Sequence, residues 1–135
     1  MASTDEQIAA LLRSSKTIAV VGLSHKPHRA SNGVSRFLLR CGYRVIPVNP
    51  GETEVLGERA YPDLESVPER IDIVDVFRRS EFVPEVVDSA IRVGAKAVWM
   101  QLGVWHEAAA ARAEAAGLLV VMDSCILVEH QRLLR

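Results

Sequence analysis

Five short apolar stretches recur along the chain, separated by polar or amphipathic segments. They are TIAVVG, RVIPVN, IDIVDVF, AKAVWMQL and GLLVVM, which begin at Thr17, Arg44, Ile71, Ala95 and Gly117. Each is rich in β-branched residues and nearly continuous in its apolar character, which is typical of parallel strands buried on both faces. The pattern therefore predicts a parallel sheet with helices on both sides.

The segments between these stretches have helical character. The first carries apolar residues at i, i+3, i+4 and i+7, so Val34, Phe37, Leu38 and Cys41 are predicted to share one buried helical face. Residues 82–91 repeat this spacing, and the next segment is rich in alanine, which favours helix.

Residues typical of helix ends occur at the boundaries between the helical segments and the predicted strands. Gly42, Gly94 and Gly117 each stand between a helical segment and a strand, where a left-handed glycine closes a helix. Ser31 and Ser80 are predicted to be helix N-caps.

Repeated β–α–β units imply right-handed crossovers. We expect one α/β domain over residues 1–135, a Rossmann-like doubly wound fold with a mostly parallel five- or six-stranded sheet and helices on both faces. Further helices are predicted near Thr4 and over 125–134. A short edge strand is predicted near Glu58 to Tyr61.

Composition narrows the class of protein. Of the 135 residues, 49% are hydrophobic and 24% are charged, an ordinary balance for a globular domain, and no apolar run reaches the length of a membrane span. The polar start does not indicate a signal peptide, and the two cysteines give no disulfide framework. We expect a cytoplasmic protein that binds neither membranes nor nucleic acids.

Charge is distributed unevenly despite a net charge of −1. Between Gln7 and Gly51 there is no acidic residue, whereas the same segment carries seven Lys or Arg residues. This asymmetry indicates an anionic ligand, although surface charges sorted by chance would produce the same pattern.

The loop from Gly22 to Gly33 is the strongest candidate for a ligand site. It is longer than most strand-to-helix loops, it ends at a helix N-terminus that favours phosphate, and it contains Lys26 and Arg29. It is not a dinucleotide fingerprint, because it lacks G-x-G-x-x-G and the next strand ends at Asn49 without a ribose-binding acid. The alternative is a loop that only connects two elements.

Two further strand ends are candidates. The VNPG turn offers a rigid apolar edge to a flat ring, although ordinary turn chemistry also explains it. In VFRRS, Arg78 or Arg79 could hold a phosphate, or could instead pair with Glu81 or Glu85 on the surface.

Groups suited to catalysis are few. His25 and His28 have H-x-x-H spacing but no nearby carboxylate or thiol, so no metal site is predicted. Cys125 lies at a helix start, where thiolates are favoured. No nucleophile–base pair is apparent, so no catalytic residue is predicted.

Taken together, these segments resemble the CoA-binding domain family. This is a Rossmann-like domain found alone in small bacterial proteins and as the first domain of the succinyl-CoA synthetase α subunit. The resemblance extends over about residues 17–129 and rests on VVGLSHKPHRASNGVSRFL, GYRVIPVNPGETEVLG, DIVDVFRR, QLGV and MDSCILVEH.

The resemblance implies a site for coenzyme A or acyl-CoA made from four segments. The implied residues are Gly22, Leu23, Ser24, Lys26, Arg29 and Ser31 around the phosphates, Val48, Asn49 and Pro50 against the nucleotide, Val76, Phe77 and Arg78 along the far wall, and Gln101, Leu102 and Gly103 along the pantetheine. Glu52 replaces the lysine that follows Pro-Gly in the synthetase. The synthetase's second domain, with its phosphorylated histidine, has no counterpart in this sequence.

The interpretation is a stand-alone domain that binds CoA or acyl-CoA and has no ligase activity. Two alternatives remain: a redox or regulatory protein in which Cys125 forms a mixed disulfide with CoA, and an enzyme, either a nicotinamide-dependent reductase or an acyl-transfer enzyme. The sequence leaves open the acyl group, any protein partner and self-association.

Overall fold

A computed structural model describes residues 3–134, which form two layers of helices around a parallel sheet. The strands are β1 (Thr17–Val21), β2 (Arg44–Val48), β3 (Glu54–Val55), β4 (Glu58–Arg59), β5 (Ile73–Val76), β6 (Ala97–Met100) and β7 (Leu119–Val121). The helices are α1 (Asp5–Ser14), α2 (Ala30–Arg40), α3 (Val83–Arg92), α4 (Glu107–Ala115) and α5 (Ile126–Leu133), with 3-10 turns at Leu64–Ser66 and Ser80–Phe82.

The main sheet has five parallel strands in the order β2-β1-β5-β6-β7, and β3 and β4 form a separate two-residue hairpin. Tyr61 extends the sheet by one parallel bridge to Val48. The Tyr61 amide donates to the Pro47 carbonyl at 3.0 Å, and the Asn49 amide donates to the Tyr61 carbonyl at 2.8 Å. With this bridge counted as a strand, the order is that of a Rossmann fold. The edge strand expected near Glu58 to Tyr61 is therefore reduced to this single bridge at Tyr61, and β4 belongs to the separate hairpin.

Both faces of the sheet are covered, as the apolar pattern predicts. Side chains of β5 alternate between two core clusters: Val74 and Val76 pack on the side of α3 and α4, and Ile73 packs on the side of α1, α2 and α5. Because the five strands of the main sheet are parallel, all the loops that follow them emerge at one edge of the sheet. In open α/β sheets this edge carries the ligand site.

The helix ends confirm several of the predictions made from the sequence. Gly42, Gly94 and Gly117 have φ of +95°, +73° and +91°, the left-handed conformation expected after a helix. Helix α1 begins with a reciprocal capping box between Thr4 and Gln7. No helix among residues 3–134 is both long and apolar enough to cross a membrane.

Three local predictions are wrong. The N-cap of α2 is Arg29 rather than Ser31, whose hydroxyl accepts a hydrogen bond from a loop amide instead. The Ser80 hydroxyl accepts from the Trp105 amide at 2.9 Å and so ties two loops together, rather than capping a helix. Cys41 is exposed, because α2 ends before it and Cys41 takes the C-cap position.

Candidate ligand-binding site

Gly22 lies where β1 meets the ends of β2 and β5, at the switch in strand order. Its amide donates to the Val48 carbonyl at 2.8 Å, and the Phe77 amide donates to the Val21 carbonyl at 2.9 Å. Gly22 has φ of +92°, and a Cβ atom there would lie 2.5 Å from the Phe77 carbonyl oxygen. Only glycine fits this position, and its close approach brings the three strand ends together.

Two clefts adjoin at Gly22 and Phe77, which line both. The first, the β2 cleft, has a volume of about 440 Å³, and its lining includes Val48, Asn49, Pro50, Pro62, Arg78 and Glu85. The second, the loop cleft, has a volume of about 400 Å³ and is lined by Ser24, Lys26, Arg29, Ala30 and Ser31. The β2 cleft offers apolar surface from proline and valine, whereas the loop cleft offers cationic and hydroxyl groups.

Three cations face these clefts and form no close ion pair. Among residues 3–134, Lys26, Arg29 and Arg78 make no ion pair with a carboxylate. The Arg78 guanidinium lies over the Phe82 ring, 4.4 Å from its centroid, which orients the charge without neutralising it. Arg79 pairs instead with Glu81 at 3.8 Å. The two neighbouring arginines therefore differ: Arg78 faces the cleft and Arg79 lies on the surface.

The loop that follows β1 is held by its own side chains. The Ser24 amide donates to the Ser31 hydroxyl at 3.1 Å, and the Lys26 amide donates to the Ser24 hydroxyl at 3.1 Å. The Asn32 side-chain amide donates to the Ser24 carbonyl at 2.9 Å. Because these loop amides already have acceptors, contacts to an anion would come from the Lys26 and Arg29 side chains and from the first turn of α2.

Glu52 fastens the same loop from the turn after β2. One of its carboxylate oxygens accepts the His25 amide at 2.8 Å and lies 2.8 Å from the His25 Nδ1 atom. The His25 amide, followed by the His25 ring and the charge of Lys26, holds the pKa of Glu52 below its ordinary value against the opposing effect of desolvation. Sequence reasoning noted Glu52 only as a departure from the synthetase.

Asn32 is the second residue that sequence reasoning missed. It is buried in the first turn of α2 together with Ser31, and Ser35 is buried in the next turn. These polar residues interrupt the apolar face that Val34 and Leu38 define. A polar residue within an apolar helical face is a usable signal, because burial of an amide requires a hydrogen-bond partner.

Asn49 also braces the site. Its side-chain amide donates to the Leu23 carbonyl at 3.1 Å, and its side-chain oxygen accepts the Gly51 amide at 2.9 Å. Val48 is buried beneath the β2 cleft, and Pro50 forms its exposed edge. The VNPG turn therefore combines ordinary turn chemistry with a position on the cleft wall.

The remaining predicted residues lie outside the clefts. Leu23 and Val76 are fully buried, and their side chains belong to the core. Gln101 is buried, and its side-chain oxygen accepts the Ile126 amide at 3.1 Å. Gly103 donates to Asp123 at 2.7 Å, and Leu102 is 67% exposed. The loop after β6 thus contributes to neither cleft, although Leu102 presents an apolar side chain at the same edge of the sheet.

Cys125 is half-buried at the N-cap of α5, as its position before a helix predicted. Across the described part of the chain, no group of three or more His, Cys, Asp or Glu side chains is arranged to hold a metal ion.

A doubly wound parallel sheet with its crevice at the switch in strand order defines a Rossmann-like α/β domain. The chain belongs to the CoA binding domain family, whose sequence model matches residues 16–131. Its similarity to a known ligase is limited to part of a subunit. It is 30% identical over 89 residues to the α subunit of acetate–CoA ligase (ADP-forming) I of Pyrococcus furiosus, which covers 62% of this chain and 19% of that subunit.

Similarity over nearly the whole length is found with smaller proteins. The chain is 44% identical to the uncharacterized protein YneT of Bacillus subtilis, with 92% of each covered. A solved structure of a hypothetical protein from Pyrococcus horikoshii has a TM-score of 0.95 and 44% identity, over 98% of this chain and 94% of that one.

Proposed function

We propose that this chain binds coenzyme A or acyl-CoA at the two adjoining clefts, as a stand-alone cytoplasmic domain without ligase activity. The observation that carries the proposal is the set of unpaired cations, Lys26, Arg29 and Arg78, around the close approach of Gly22 to Phe77. Membership of the CoA binding domain family supports coenzyme A as the ligand.

Each cleft suits one part of the ligand. The adenosine would occupy the β2 cleft against Val48 and Pro50, while the pyrophosphate would occupy the loop cleft beside Lys26 and Arg29. Arg78, which lines the β2 cleft close to Phe77, would reach a phosphate oxygen. The pantetheine would leave toward the loop after β6, where Leu102 is exposed.

The ligase reaction is not part of the proposal, since the chain aligns with only 19% of the ligase subunit. A disulfide between Cys125 and CoA is the alternative with a structural argument, because Cys125 lies at the N-terminus of α5 at the same edge of the sheet.

Isothermal titration of the protein with CoA, acetyl-CoA, NAD and NADP tests the proposal directly. We expect binding of CoA and acetyl-CoA, and weaker or no binding of the nicotinamide nucleotides. No heat with CoA together with clear binding of NADP would contradict it. Intact mass after treatment with oxidised CoA tests the Cys125 alternative, which an unmodified protein would eliminate.

Two adjacent arginines provide a matched pair of variants. Arg78→Ala should weaken CoA binding by the value of one charge-assisted hydrogen bond, about 1.5–3 kcal/mol, or roughly ten- to 150-fold. Arg79→Ala, which removes the same charge one residue away at a surface ion pair, should change affinity little. Lys26→Ala should resemble Arg78→Ala. Equal affinity for Arg78→Ala and Arg79→Ala would show that Arg78 is not in the site.

A further inference from the structure

The loop that lines the loop cleft is already bonded to an anion that belongs to the protein, the Glu52 carboxylate. Three successive loop amides donate to side chains: Ser24 and Lys26 to neutral hydroxyl groups at 3.1 Å, and His25 to the Glu52 carboxylate at 2.8 Å. Hydroxyl groups are sufficient to hold the amides on either side of His25. The negative charge of Glu52 is therefore not required to brace the loop.

That charge interacts with Lys26, one of the cations expected to receive phosphate. The Glu52 side chain is 13% exposed, whereas the His25 ring is 63% exposed. The carboxylate is thus held inward, and Lys26 is among the groups that stabilise its ionised form. A phosphate placed against Lys26 would approach both the cation and the carboxylate.

We propose that Glu52, which joins the turn after β2 to the loop after β1, is a specificity-determining residue of the CoA site and limits the phosphate charge that the two clefts accept. This inference rests on the proposed function. Glu52 competes with ligand phosphate for Lys26, and the affinity lost through this competition rises with the number of phosphate charges on the ligand. Dephospho-CoA lacks the 3′-phosphate of CoA. The preference of the site for CoA over dephospho-CoA is therefore smaller than the cations alone would produce.

Glu52→Gln separates charge from bracing, because the glutamine oxygen can still accept the His25 amide. We expect Glu52→Gln to bind CoA about two- to fivefold more tightly than the wild type, the range for a charge interaction near the protein surface. The gain should be smaller for dephospho-CoA, and it should shrink between about 50 and 500 mM NaCl as the Debye length falls. Glu54→Gln is the matched control, since Glu54 is exposed on β3 two residues away, and it should leave both affinities near those of the wild type.

Titration calorimetry with CoA and dephospho-CoA on the wild type, Glu52→Gln and Glu54→Gln tests this inference. Melting temperatures verify that each protein is folded. If the wild type binds CoA and Glu52→Gln binds it equally or more weakly, this inference is wrong and the proposed function is unaffected. A gain of equal size for both ligands, or one insensitive to salt, would also overturn it. Wild type that binds no CoA would overturn the proposed function itself.

Discussion

Asp75 provides a sharp test of the fold, because its carboxyl group is buried at the centre of the sheet. It lies on β5, in register with Val20 of β1 and Trp99 of β6, and it is fully buried. Within residues 3–134 neither of its carboxyl oxygens has a hydrogen-bond partner. Desolvation by burial raises the pKa of Asp75 well above its ordinary value.

The sign of the resulting pH dependence follows from proton binding. At pH 3, below the ordinary pKa of an aspartate, folded and unfolded chains both retain most of the Asp75 proton. As the pH rises, the unfolded chain releases it and the folded chain does not, so stability falls by about 1.4 kcal/mol per pH unit until the raised folded pKa is reached. Asn cannot titrate, so Asp75→Asn removes this loss. We expect the variant to be close to wild type near pH 3 and progressively more stable than wild type toward neutral pH.

Urea unfolding of both proteins from pH 3 to pH 8 measures this difference. Asp72→Asn is the control of opposite sign. Desolvation opposes the ionisation of Asp72, but hydrogen bonds from the Lys16 and Thr17 amides and the Lys96 ammonium outweigh it and lower the pKa. The stability that Asp72 contributes is therefore present above its unfolded pKa and lost in acid, and Asp72→Asn should be less stable than wild type at neutral pH. A difference between Asp75→Asn and wild type that is constant across this pH range would refute the reasoning for Asp75.

Two predictions concern backbone and helix ends. Gly22→Ala should destabilise the fold by more than the about 1–2 kcal/mol of a left-handed alanine, because its Cβ would also strike the Phe77 carbonyl. In contrast, Gly33→Ala within α2 should stabilise it by about 0.5–1 kcal/mol, since the added Cβ meets only Arg36 at 3.6 Å; melting curves would compare the two, and equal shifts would contradict the geometry. Thr4→Ala should cost about 1 kcal/mol of unfolding free energy through the lost N-cap while leaving CoA affinity unchanged, and a loss of affinity would contradict the separation of α1 from the site.

The fold could be predicted because its signals are local. Continuous apolar runs fix buried parallel strands, and Gly42, Gly94 and Gly117 mark the three places where a helix gives way to a loop. The helix N-termini were less predictable. Ser31 is a suitable cap by residue type, yet the loop amide of Ser24 uses its hydroxyl, and only the folded loop reveals that competing demand.

The segments that form the candidate site could be predicted from the sequence, but the contacts of its individual residues could not. The charge pattern indicated Lys26, Arg29 and Arg78 as candidates for binding phosphate. Whether Arg78 or Arg79 faces the cleft depends on the Phe82 ring and on Glu81, which are positioned by the turn that follows β5. Glu52 is 27 residues from His25 in sequence, so no local pattern indicates their contact. A residue that differs from its counterpart in a related enzyme can acquire a partner elsewhere in the fold, and for Glu52 that partner is an amide of the loop nearest the proposed phosphate site. Glu52 therefore does more than remove the lysine of the synthetase, because it adds a negative charge near the proposed phosphate site.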